Sequence, residues 1–401
     1  MEVFVYDAVR SPRGKGRPDG ALAGVTPPFL VSQLIDALRK RCDAQAINAA
    51  QSLILGCVTQ VGAQGGHIAM ASRLVSGLPN TTAPLTVNNY CVSGLTSIAA
   101  AHRRITIGEI DLALAGGVEC MSQVGFMTDD ASFYTDMTLA ERMGWAPVGV
   151  GADALAAAEG IKRADLDRFA LRSNRLAAMA WAEGRYEKRV IPIRDQQGNT
   201  ALATDENIRD HGDGAKLADL PPVFEKPGAA GFDRIISAQR PELGAIEHVH
   251  TIAHCPPIAD GAGLILLGSR EAGERWNLSP VAKIVALAET SSDHVLQLTA
   301  GFSAMELALK RANATLADMD AIEFMEAFAV TPVKFERDYE PDMDKVNIHG
   351  GHLAMGHPMG ATGAILFGAL LDALDRLDGA RGVVATTGGV GVGAAAVIER
   401  V

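Results

Sequence analysis

The sequence is poor in cysteine and in positive charge. Its five cysteines, Cys42, Cys57, Cys91, Cys120 and Cys255, form no pair with metal-ligand or redox spacing. We therefore predict no metal site and a reduced, intracellular setting. Lys and Arg number 36 against 47 Asp and Glu, which gives a net charge of −11. The basic footprint of a nucleic-acid-binding protein is missing, so we expect no nucleic-acid partner.

Long apolar runs and targeting signals are also missing. Glycine and small polar residues interrupt each candidate run before the roughly 20 residues that a membrane span needs. The N-terminus, Met-Glu-Val-Phe-Val-Tyr-Asp, alternates like a strand and lacks the basic and apolar segments of a secretory signal. These absences predict a cytoplasmic protein without a membrane span.

Glycine, by contrast, is abundant. The chain has 42 glycines in 401 residues, whereas the usual share is roughly 7%. They cluster where short Val/Ile/Leu/Ala runs end, at residues 62–66, 116–117, 149–151, 350–363 and 388–393. Such positions are typical of tight turns between strands and helices. With 48% hydrophobic residues, the chain has material for two or three packed units.

Strand and helix signals alternate in two stretches of the chain. The first covers about residues 1–120, and the second begins after His250. This alternation predicts an α/β fold with a mostly buried sheet. The stretch between them, residues 121–249, is polar and rich in turn residues, and only residues 165–185 predict an amphipathic helix. We interpret it as an inserted, largely irregular domain.

Two loops share one design. Cys91 and His357 each lie just before an apolar helix, and each helix is followed by a Val/Leu/Ala strand that ends in glycines. This weak internal repeat predicts two similar α/β halves facing each other. Cys91 and His357 would then occupy corresponding loop-to-helix junctions.

Cys91 and His357 are the candidates for chemistry. The start of a helix lowers a thiol pKa and favours the thiolate, which predicts a reactive Cys91. The alternative is a small buried core residue, as expected for the other four cysteines. His357, in a Gly-His-Pro sequence, is presented on a constrained loop; the alternative is a histidine bonded to a carbonyl in a turn. Together the two offer a nucleophile and a base.

Other motifs are weaker. The Gly-Val-Gly-Val-Gly at residues 389–393 has too few residues after it for a dinucleotide-binding helix, so it predicts a turn or a backbone donor site. Residues 13–17, Arg-Gly-Lys-Gly-Arg, lack the spacing and hydroxyl of a phosphate loop and predict a solvated basic loop. His248, His250 and His254, placed on one strand face and followed by Cys255, more often need no metal ion than bind one.

Several segments then occur together in an informative order. They are Tyr-Asp-Ala-Val-Arg-Ser-Pro (6–12), Cys-Val-Ser-Gly-Leu (91–95), Ala-Gly-Gly-Val-Glu-Cys-Met-Ser (115–122), Glu-Ala-Phe (326–328), Gly-His-Pro-Met-Gly-Ala-Thr-Gly (356–363) and the glycine-rich C-terminus. In these segments, and along nearly all its length, the chain resembles the thiolase family, most closely the bacterial fatty-acid β-oxidation thiolases.

The resemblance implies an α/β fold with two similar halves in a five-layered α-β-α-β-α arrangement. Residues 1–120 with 250–272 would form the half that carries the nucleophile. Residues 121–249 would form a loop domain over a coenzyme A site, and residues 273–401 the half that carries the Gly-His-Pro loop. A homodimer or homotetramer is implied, as is a possible β-oxidation partner subunit.

The resemblance also implies a reaction. A cysteine matching Cys91 attacks a 3-ketoacyl-CoA, a histidine matching His357 takes the thiol proton, and coenzyme A is substrate and product, with no permanently bound cofactor. Backbone N–H groups of Cys91 and Gly389 would hold the acyl oxyanion.

Side chains in these motifs depart from the family pattern. Thr387 stands at the second catalytic cysteine, and a hydroxyl is too weak an acid to replace it at neutral pH. Met325 replaces an oxyanion asparagine and cannot donate a hydrogen bond. Pro256 replaces a serine near the coenzyme, His349 an asparagine and His352 a small residue. Losing the proton-transfer group and one oxyanion donor would slow thiolysis by roughly 10⁴–10⁷-fold if the two rate losses multiply.

Four residues near these motifs can carry a proton or a hydrogen bond in place of the missing groups: His349, His352, His254 and Glu326. Three hypotheses follow. The chain is a thiolase-type acyltransferase acting through a Cys91 acyl-enzyme. Alternatively, it is a condensing enzyme in which decarboxylation generates the carbanion, or a degenerate subunit that binds acyl-CoA without turnover.

Overall fold

We describe a computed structural model of the chain, which covers residues 1–212 and 214–401. Its strands occupy the following ranges: β1 Phe4–Arg10, β2 Gly14–Lys15, β3 Ser52–Gly56, β4 Ala83–Val87, β5 Leu112–Cys120, β6 Ile193–Arg194, β7 Thr200–Leu202, β8 Ala259–Gly268, β9 Ala282–Ser291, β10 Ala321–Phe324, β11 Arg381–Gly388 and β12 Val392–Arg400. Strands β6 and β7 form a separate two-stranded sheet, and the others share one large sheet.

The α-helices occupy these ranges: α1 Pro27–Arg41, α2 Ala44–Asn48, α3 Ile68–Val75, α4 Ser93–Thr106, α5 Ser132–Thr135, α6 Met137–Met143, α7 Val148–Glu159, α8 Arg163–Ala182, α9 Glu225–Pro227, α10 Asp233–Gln239, α11 Arg270–Arg275, α12 Ala300–Arg311, α13 Val330–Tyr339, α14 His352–Met355 and α15 Thr362–Leu377. None of the helices in the described residues is both long enough and apolar enough to cross a bilayer.

The large sheet has an internal repeat. Its strand order is β10-β11-β12-β9-β1-β8-β5-β3-β4. On one side, β8 pairs antiparallel with β1 and β5, and β3 runs parallel to β5 and β4. On the other, β12 pairs antiparallel with β9 and β11, and β10 runs parallel to β11. The four strands β1-β8-β5-β3 pair in the same way as β9-β12-β11-β10, which confirms the two similar α/β halves, and β4 adds a fifth strand to the first.

The hydrophobic core is divided among clusters that lie between successive layers of helices and strands, which gives five layers. Helices α1 and α3 cover one outer face of the first half, and α12 and α13 cover the outer face of the second. Helices α4 and α15 pack between the two halves within the central core. Their approach requires glycine, because a Cβ on Gly363 would lie 2.3 Å from the backbone nitrogen of Leu95. This contact brings the two helix starts together.

Residues 121–249 differ from the expectation. They hold helices α5 to α10 and are not largely irregular. The predicted 165–185 helix is Arg163–Ala182; it begins earlier because the Asp165 carboxylate accepts the Lys162 N–H at 3.2 Å, in the manner of a capping residue. Helix α7 escaped prediction because it is Ala- and Gly-rich and buried on most sides, which leaves little amphipathic periodicity.

Candidate functional site

Cys91 lies on the short loop between β4 and α4. It is half-buried and packs against the central core. Gly388, the last residue of β11, faces it so closely that a Cβ there would lie 3.3 Å from the Cys91 backbone nitrogen and Cβ. The glycine at residue 388 therefore lets the C-terminal half approach the nucleophile loop.

The electrostatics of Cys91 correct one expectation. Burial raises the pKa of the Cys91 thiol to about 11, although hydrogen bonds from the backbone N–H groups of Gly389 and of Cys91 itself act to lower it. The predicted lowering by the helix start is wrong, because desolvation of the thiolate outweighs these donors. Cys91 is thus a neutral thiol at pH 7 and needs a base to become a nucleophile.

A small cavity of about 50 Å³ opens beside the Cys91 side chain. Its walls are largely apolar or aromatic and include Val58, Tyr90, Phe126, Met127, Tyr134, Trp145, Val148, Met359 and Val390, with Thr59, Asp129, Gln297 and Gly389 completing the lining. A group attached to the sulfur would therefore meet mainly carbon atoms.

His357 lies on the loop between α14 and α15. Its backbone N–H donates to the Pro257 carbonyl at 2.8 Å, and its Nδ1 shares a 2.6 Å hydrogen bond with the Thr362 hydroxyl. Its Nε2 is buried and has no hydrogen-bond partner in residues 1–212 and 214–401. Burial, helped by the charge of Arg13, lowers the pKa of His357 to about 3. The imidazole is neutral, with one ring nitrogen unoccupied.

Arg13 supports this loop, which corrects the prediction of a solvated basic loop. The side chain is 1% exposed, and its guanidinium donates to the Gly356 carbonyl at 3.0 Å. Its backbone N–H donates to the Asp205 carboxylate at 2.7 Å. The spacing of residues 13–17 gave no sign of burial, because the partners come from distant segments.

Glu119 joins the two halves at the site. Its buried carboxylate accepts N–H bonds from Val58 at 2.9 Å, Thr59 at 3.1 Å and Gly360 at 3.0 Å. Val58 and Met359 border the cavity that contains Cys91. The structure thus brings the Cys91 and His357 loops to one place, as the repeat predicted.

Thr387 and Met325, which the resemblance assigns to the missing groups, are both buried. Thr387 is buried near the end of β11, and its hydroxyl has no partner among the described residues. Met325 is fully buried in the central core, and its backbone N–H bonds the Ala385 carbonyl at 2.9 Å. Neither side chain can supply a proton at neutral pH.

Of the candidate substitutes, His352 is adjacent to His357. The two ring centroids are 5.4 Å apart, with the planes inclined by 78°. Both ring nitrogens of His352 are buried and unpartnered within the described part of the chain. Burial, with the nearby charge of Arg13, lowers the pKa of His352 well below its ordinary value.

His349 lies one step further away. Its ring packs edge-on against Tyr186, with centroids 5.7 Å apart, and both ring nitrogens lack a partner in the described segments. Burial lowers its pKa to about 4. No ring contact links His349 to His357 in the described residues, so its neighbours are not those of the base.

Glu326 has a structural set of bonds. Its carboxylate accepts from the Ser173 hydroxyl at 2.6 Å, the Leu353 N–H at 3.1 Å and the Asn347 amide at 3.3 Å. It thereby ties α8 to the segment before His357. Pro256, half-buried, precedes the Pro257 carbonyl that holds the His357 backbone.

The histidines at 248, 250 and 254 are not on one strand face. His248 and His250 bond the Asp153 carboxylate at 2.7 and 2.6 Å. His254 lies in a 3₁₀ turn and bonds Asp167 at 2.7 Å, while its Nδ1 accepts the Thr251 N–H at 3.0 Å. Both nitrogens of His254 are occupied, so it is unavailable as a substitute. Across residues 1–212 and 214–401, no group of three or more His, Cys, Asp or Glu could hold a metal ion.

Gln297 is the other residue that sequence reasoning missed. It is 1% exposed, donates to the Ala146 carbonyl at 2.8 Å and accepts the Val390 N–H at 3.1 Å. It therefore fixes the glycine-rich turn beside Cys91. A lone polar residue between apolar ones gives no sequence signal for such a bridge.

A much larger groove lies elsewhere. It measures about 950 Å³ and runs along α8 beside residues 209–212, with Arg168, Arg172, Arg175 and Arg209 among its lining. It contains neither Cys91 nor His357. We assign the site to the smaller cavity because Cys91 and Gly389 line it, and because Met359, from the loop that carries His357, forms part of its wall.

Comparison with known proteins agrees with this architecture. The family description "Thiolase, N-terminal domain" matches residues 3–231, and "Thiolase, C-terminal domain" matches residues 278–400. The chain is 35% identical to a 3-ketoacyl-CoA thiolase of Marinomonas sp. (strain MWYL1), covering 100% of this chain and 98% of the relative. It is 32% identical to a beta-ketoadipyl-CoA thiolase of Pseudomonas aeruginosa, covering 100% and 99%.

A solved structure has the same fold. The acetyl-CoA acetyltransferase of Bacillus anthracis superposes with a TM-score of 0.85 at 27% identity, over 100% of this chain and 99% of that one. Both halves of the sequence and the whole fold therefore agree, and the chain belongs to the thiolase family.

Proposed function

We propose that the protein is a thiolase-type acyltransferase that carries the acyl group of an acyl-CoA or 3-ketoacyl-CoA on Cys91. The observation that carries this proposal is the meeting of a half-buried thiol with two backbone N–H donors, Cys91 and Gly389, beside an apolar cavity. Two N–H groups fixed at one point suit the oxygen that becomes negative when a thioester carbonyl is attacked.

The first step uses Cys91 and His357. The neutral imidazole takes the thiol proton through a ring nitrogen, and the sulfur bonds to the 3-keto carbon. The bond between C2 and C3 then breaks, and its electron pair goes to C2, which takes a proton to give acetyl-CoA. In the second step the thiol of free coenzyme A loses a proton, attacks the acyl carbon and releases the Cys91 sulfur. Coenzyme A is substrate and product, and the proposal requires no permanently bound cofactor.

His357 suits the role of base despite its low pKa. An imidazole with a pKa of about 3 is almost wholly neutral at pH 7, so its ring nitrogen is free to accept a proton, although its affinity for that proton is low. A thiol with a pKa of about 11 gives its proton up reluctantly. We therefore expect proton transfer to be coupled to sulfur attack and a free thiolate to be scarce.

His352 is our proposed replacement for the proton-transfer group missing at residue 387: neutral at rest, it passes to C2 the proton that His357 takes from the thiol. It acts through His357, since the two rings are neighbours and the ring nitrogens of His352 are unoccupied by the described residues. Glu326 is less suited because its carboxylate is already held by three donors, and His349 because its ring faces Tyr186.

A second candidate is decarboxylative condensation. It is favoured by the buried Thr387 hydroxyl, which cannot remove a proton from an α-carbon. When malonyl-CoA loses carbon dioxide, the electron pair of the broken bond stays on C2 and attacks the acyl carbon held on Cys91. The sulfur then leaves and takes a proton. Neutral imidazoles at residues 352 and 357 can donate hydrogen bonds to the enolate oxygen.

The partner in assembly is proposed to be a second copy of the chain. Within residues 1–212 and 214–401, strand β4 is an edge of the large sheet and pairs with β3 alone, and Leu85 on it is 40% exposed. An open edge strand is a template for pairing. A homodimer through β4 would set both Cys91 loops near the interface, and a homotetramer or a β-oxidation partner subunit is compatible with it.

All five cysteines are free, which supports a reducing, cytoplasmic location.

The decisive experiment is acylation of the purified protein. It is incubated with acetyl-CoA, butyryl-CoA, acetoacetyl-CoA and malonyl-CoA, and intact mass with peptide mapping reports any adduct. We expect an acyl group on Cys91, none in Cys91→Ala, and an unchanged adduct in Cys42→Ala, whose removed thiol has the same pKa of about 11. Release of carbon dioxide from malonyl-CoA would favour the condensing reaction. Labelling that survives Cys91→Ala, or no adduct with any ester, would refute the acyl-enzyme and leave a binding subunit.

A further inference from the structure

The cavity beside Cys91 is bordered by four non-glycine residues in the left-handed backbone region. They are Tyr90 with φ of 47°, Met127 with φ of 64°, Gln297 with φ of 59° and Val390 with φ of 54°. This conformation is unfavourable for residues with a Cβ, and it is a genuine outlier for a β-branched one such as valine. Such strain persists only where surrounding contacts impose it, and it collects at functional sites.

Gln297 imposes the strained geometry on Val390. Both ends of its amide are engaged, one with the Val390 N–H at 3.1 Å and the other with the Ala146 carbonyl at 2.8 Å. The side chain is 1% exposed, so water does not compete for these bonds. Val390 is consequently held at one place on the cavity wall.

The packing contacts of the Val390 side chain offset the cost of its strained backbone. Glycine adopts a positive φ readily, and glycines surround this position at 388, 389 and 391. The valine instead packs against the cluster of Ala140, Trp145 and Ile235 and borders the same cavity as Cys91. A glycine at this position would have no side chain to make these contacts. The volume of the valine side chain is therefore the feature that needs a functional explanation.

The size of the cavity indicates the role of the Val390 side chain. Its volume is about 50 Å³, about a third of that of an apolar cavity of about 150 Å³ that binds benzene. Resting on the proposed acyl-enzyme, we infer that Val390 is a specificity-determining residue. It limits the acyl group on Cys91 to a short aliphatic chain of roughly two to four carbon atoms.

The test compares acylation rates across chain lengths. Wild-type protein and the variants Val390→Gly, Val390→Ala and Val148→Ala are incubated with acetyl-CoA and with octanoyl-CoA, and the mass adduct on Cys91 is followed in time. In the wild type we expect octanoyl transfer to be at least about tenfold slower than acetyl transfer. Val390→Gly should raise the ratio of octanoyl to acetyl rates by about tenfold or more, and Val390→Ala by less, since it keeps the Cβ.

Each outcome decides the matter. Equal acetyl and octanoyl rates in the wild type would overturn the inference. So would an unchanged ratio in both Val390 variants, or a larger rise in Val148→Ala, which removes bulk from another residue of the same lining. Val390→Ala keeps the test valid if the glycine variant does not fold. Absence of any adduct with either ester is distinguishable from these results, because it refutes the acyl-enzyme itself and the inference with it.

Discussion

The Cys91 loop and the His357 loop occupy equivalent places in the two halves, yet their surroundings are opposite. Around Cys91 the cavity is lined mainly by carbon atoms, and backbone N–H groups supply the polar contacts to the sulfur. Around His357 lie buried polar side chains with unused hydrogen-bonding atoms, namely Arg13 Nε and both ring nitrogens of His352. The repeat therefore duplicates the backbone but not the chemistry.

This difference separates two tasks. An apolar cavity accepts the carbon chain of an acyl group and keeps water away from the thioester. Unpaired buried nitrogens cost free energy unless water or substrate bonds to them, so they indicate groups that exchange partners during a reaction. We infer that the surroundings of Cys91 hold the acyl group and that the surroundings of His357 move protons. The predictions that follow test this division, beginning with the largest effect.

Replacing the base should have the largest effect. We expect His357→Gln to slow acylation of Cys91 by about 10²–10⁴-fold, because the neutral thiol then has no acceptor for its proton. The pH dependence should sharpen the result: with the thiol pKa near 11, acylation of the variant should rise steeply with pH up to about 11 and recover part of the loss. Rates of adduct formation by mass spectrometry provide the measurement, and His294→Gln, an exposed histidine, is the control. A loss of less than tenfold would mean that the second half does not supply the base.

The next effect separates His352 from a packing role. His352→Ala should slow cleavage of acetoacetyl-CoA by about 10²-fold, since proton delivery to the α-carbon is lost. Transfer of an acetyl group from acetyl-CoA to Cys91 needs no such proton and should change much less. Adding Thr387→Cys to His352→Ala should recover cleavage, because a thiol can supply the proton that the hydroxyl cannot. Equal losses in both reactions, without recovery, would reduce His352 to a structural residue. Steady-state assays with the two esters distinguish these cases.

Much of the frame was predictable from the sequence. The apolar runs at residues 52–56 and 321–324 coincide with β3, Ser52–Gly56, and β10, Ala321–Phe324. The equivalence of the two loops followed from their shared pattern. Such features are local, because a run of Val, Ile and Leu closed by glycine specifies a buried strand without help from distant residues.

The remainder depended on contacts between distant residues. The burial of Arg13 follows from the Gly356 carbonyl and Asp205, which lie 343 and 192 positions away in the chain. The raised pKa of Cys91 reflects packing against the other half, which a helix-start argument cannot include. The bridge by Gln297 likewise joins Ala146 and Val390, 151 and 93 positions away. The reactivity of Cys91 therefore depends on tertiary contacts and not on the local sequence alone.

The smallest predicted effect concerns the acid stability that the buried His349 confers. His349 is 1% exposed, and burial lowers its pKa from 6.5 to about 4 in the folded chain. Between these values the unfolded chain binds more protons, so stability is complete above pH 6.5 and is lost as pH falls toward 4. The loss from this group between pH 7.5 and 5 is about 2 kcal/mol of unfolding free energy. The free energy of unfolding, measured with urea at both pH values, should fall by that amount less in His349→Asn than in the wild type. In the control His294→Asn, at an exposed residue, the fall should match that of the wild type. Because asparagine does not titrate, an unchanged drop in His349→Asn would show that this histidine is hydrated or protonated in the fold, and the polar surroundings of the base loop would then resemble solvent more than a dry interior.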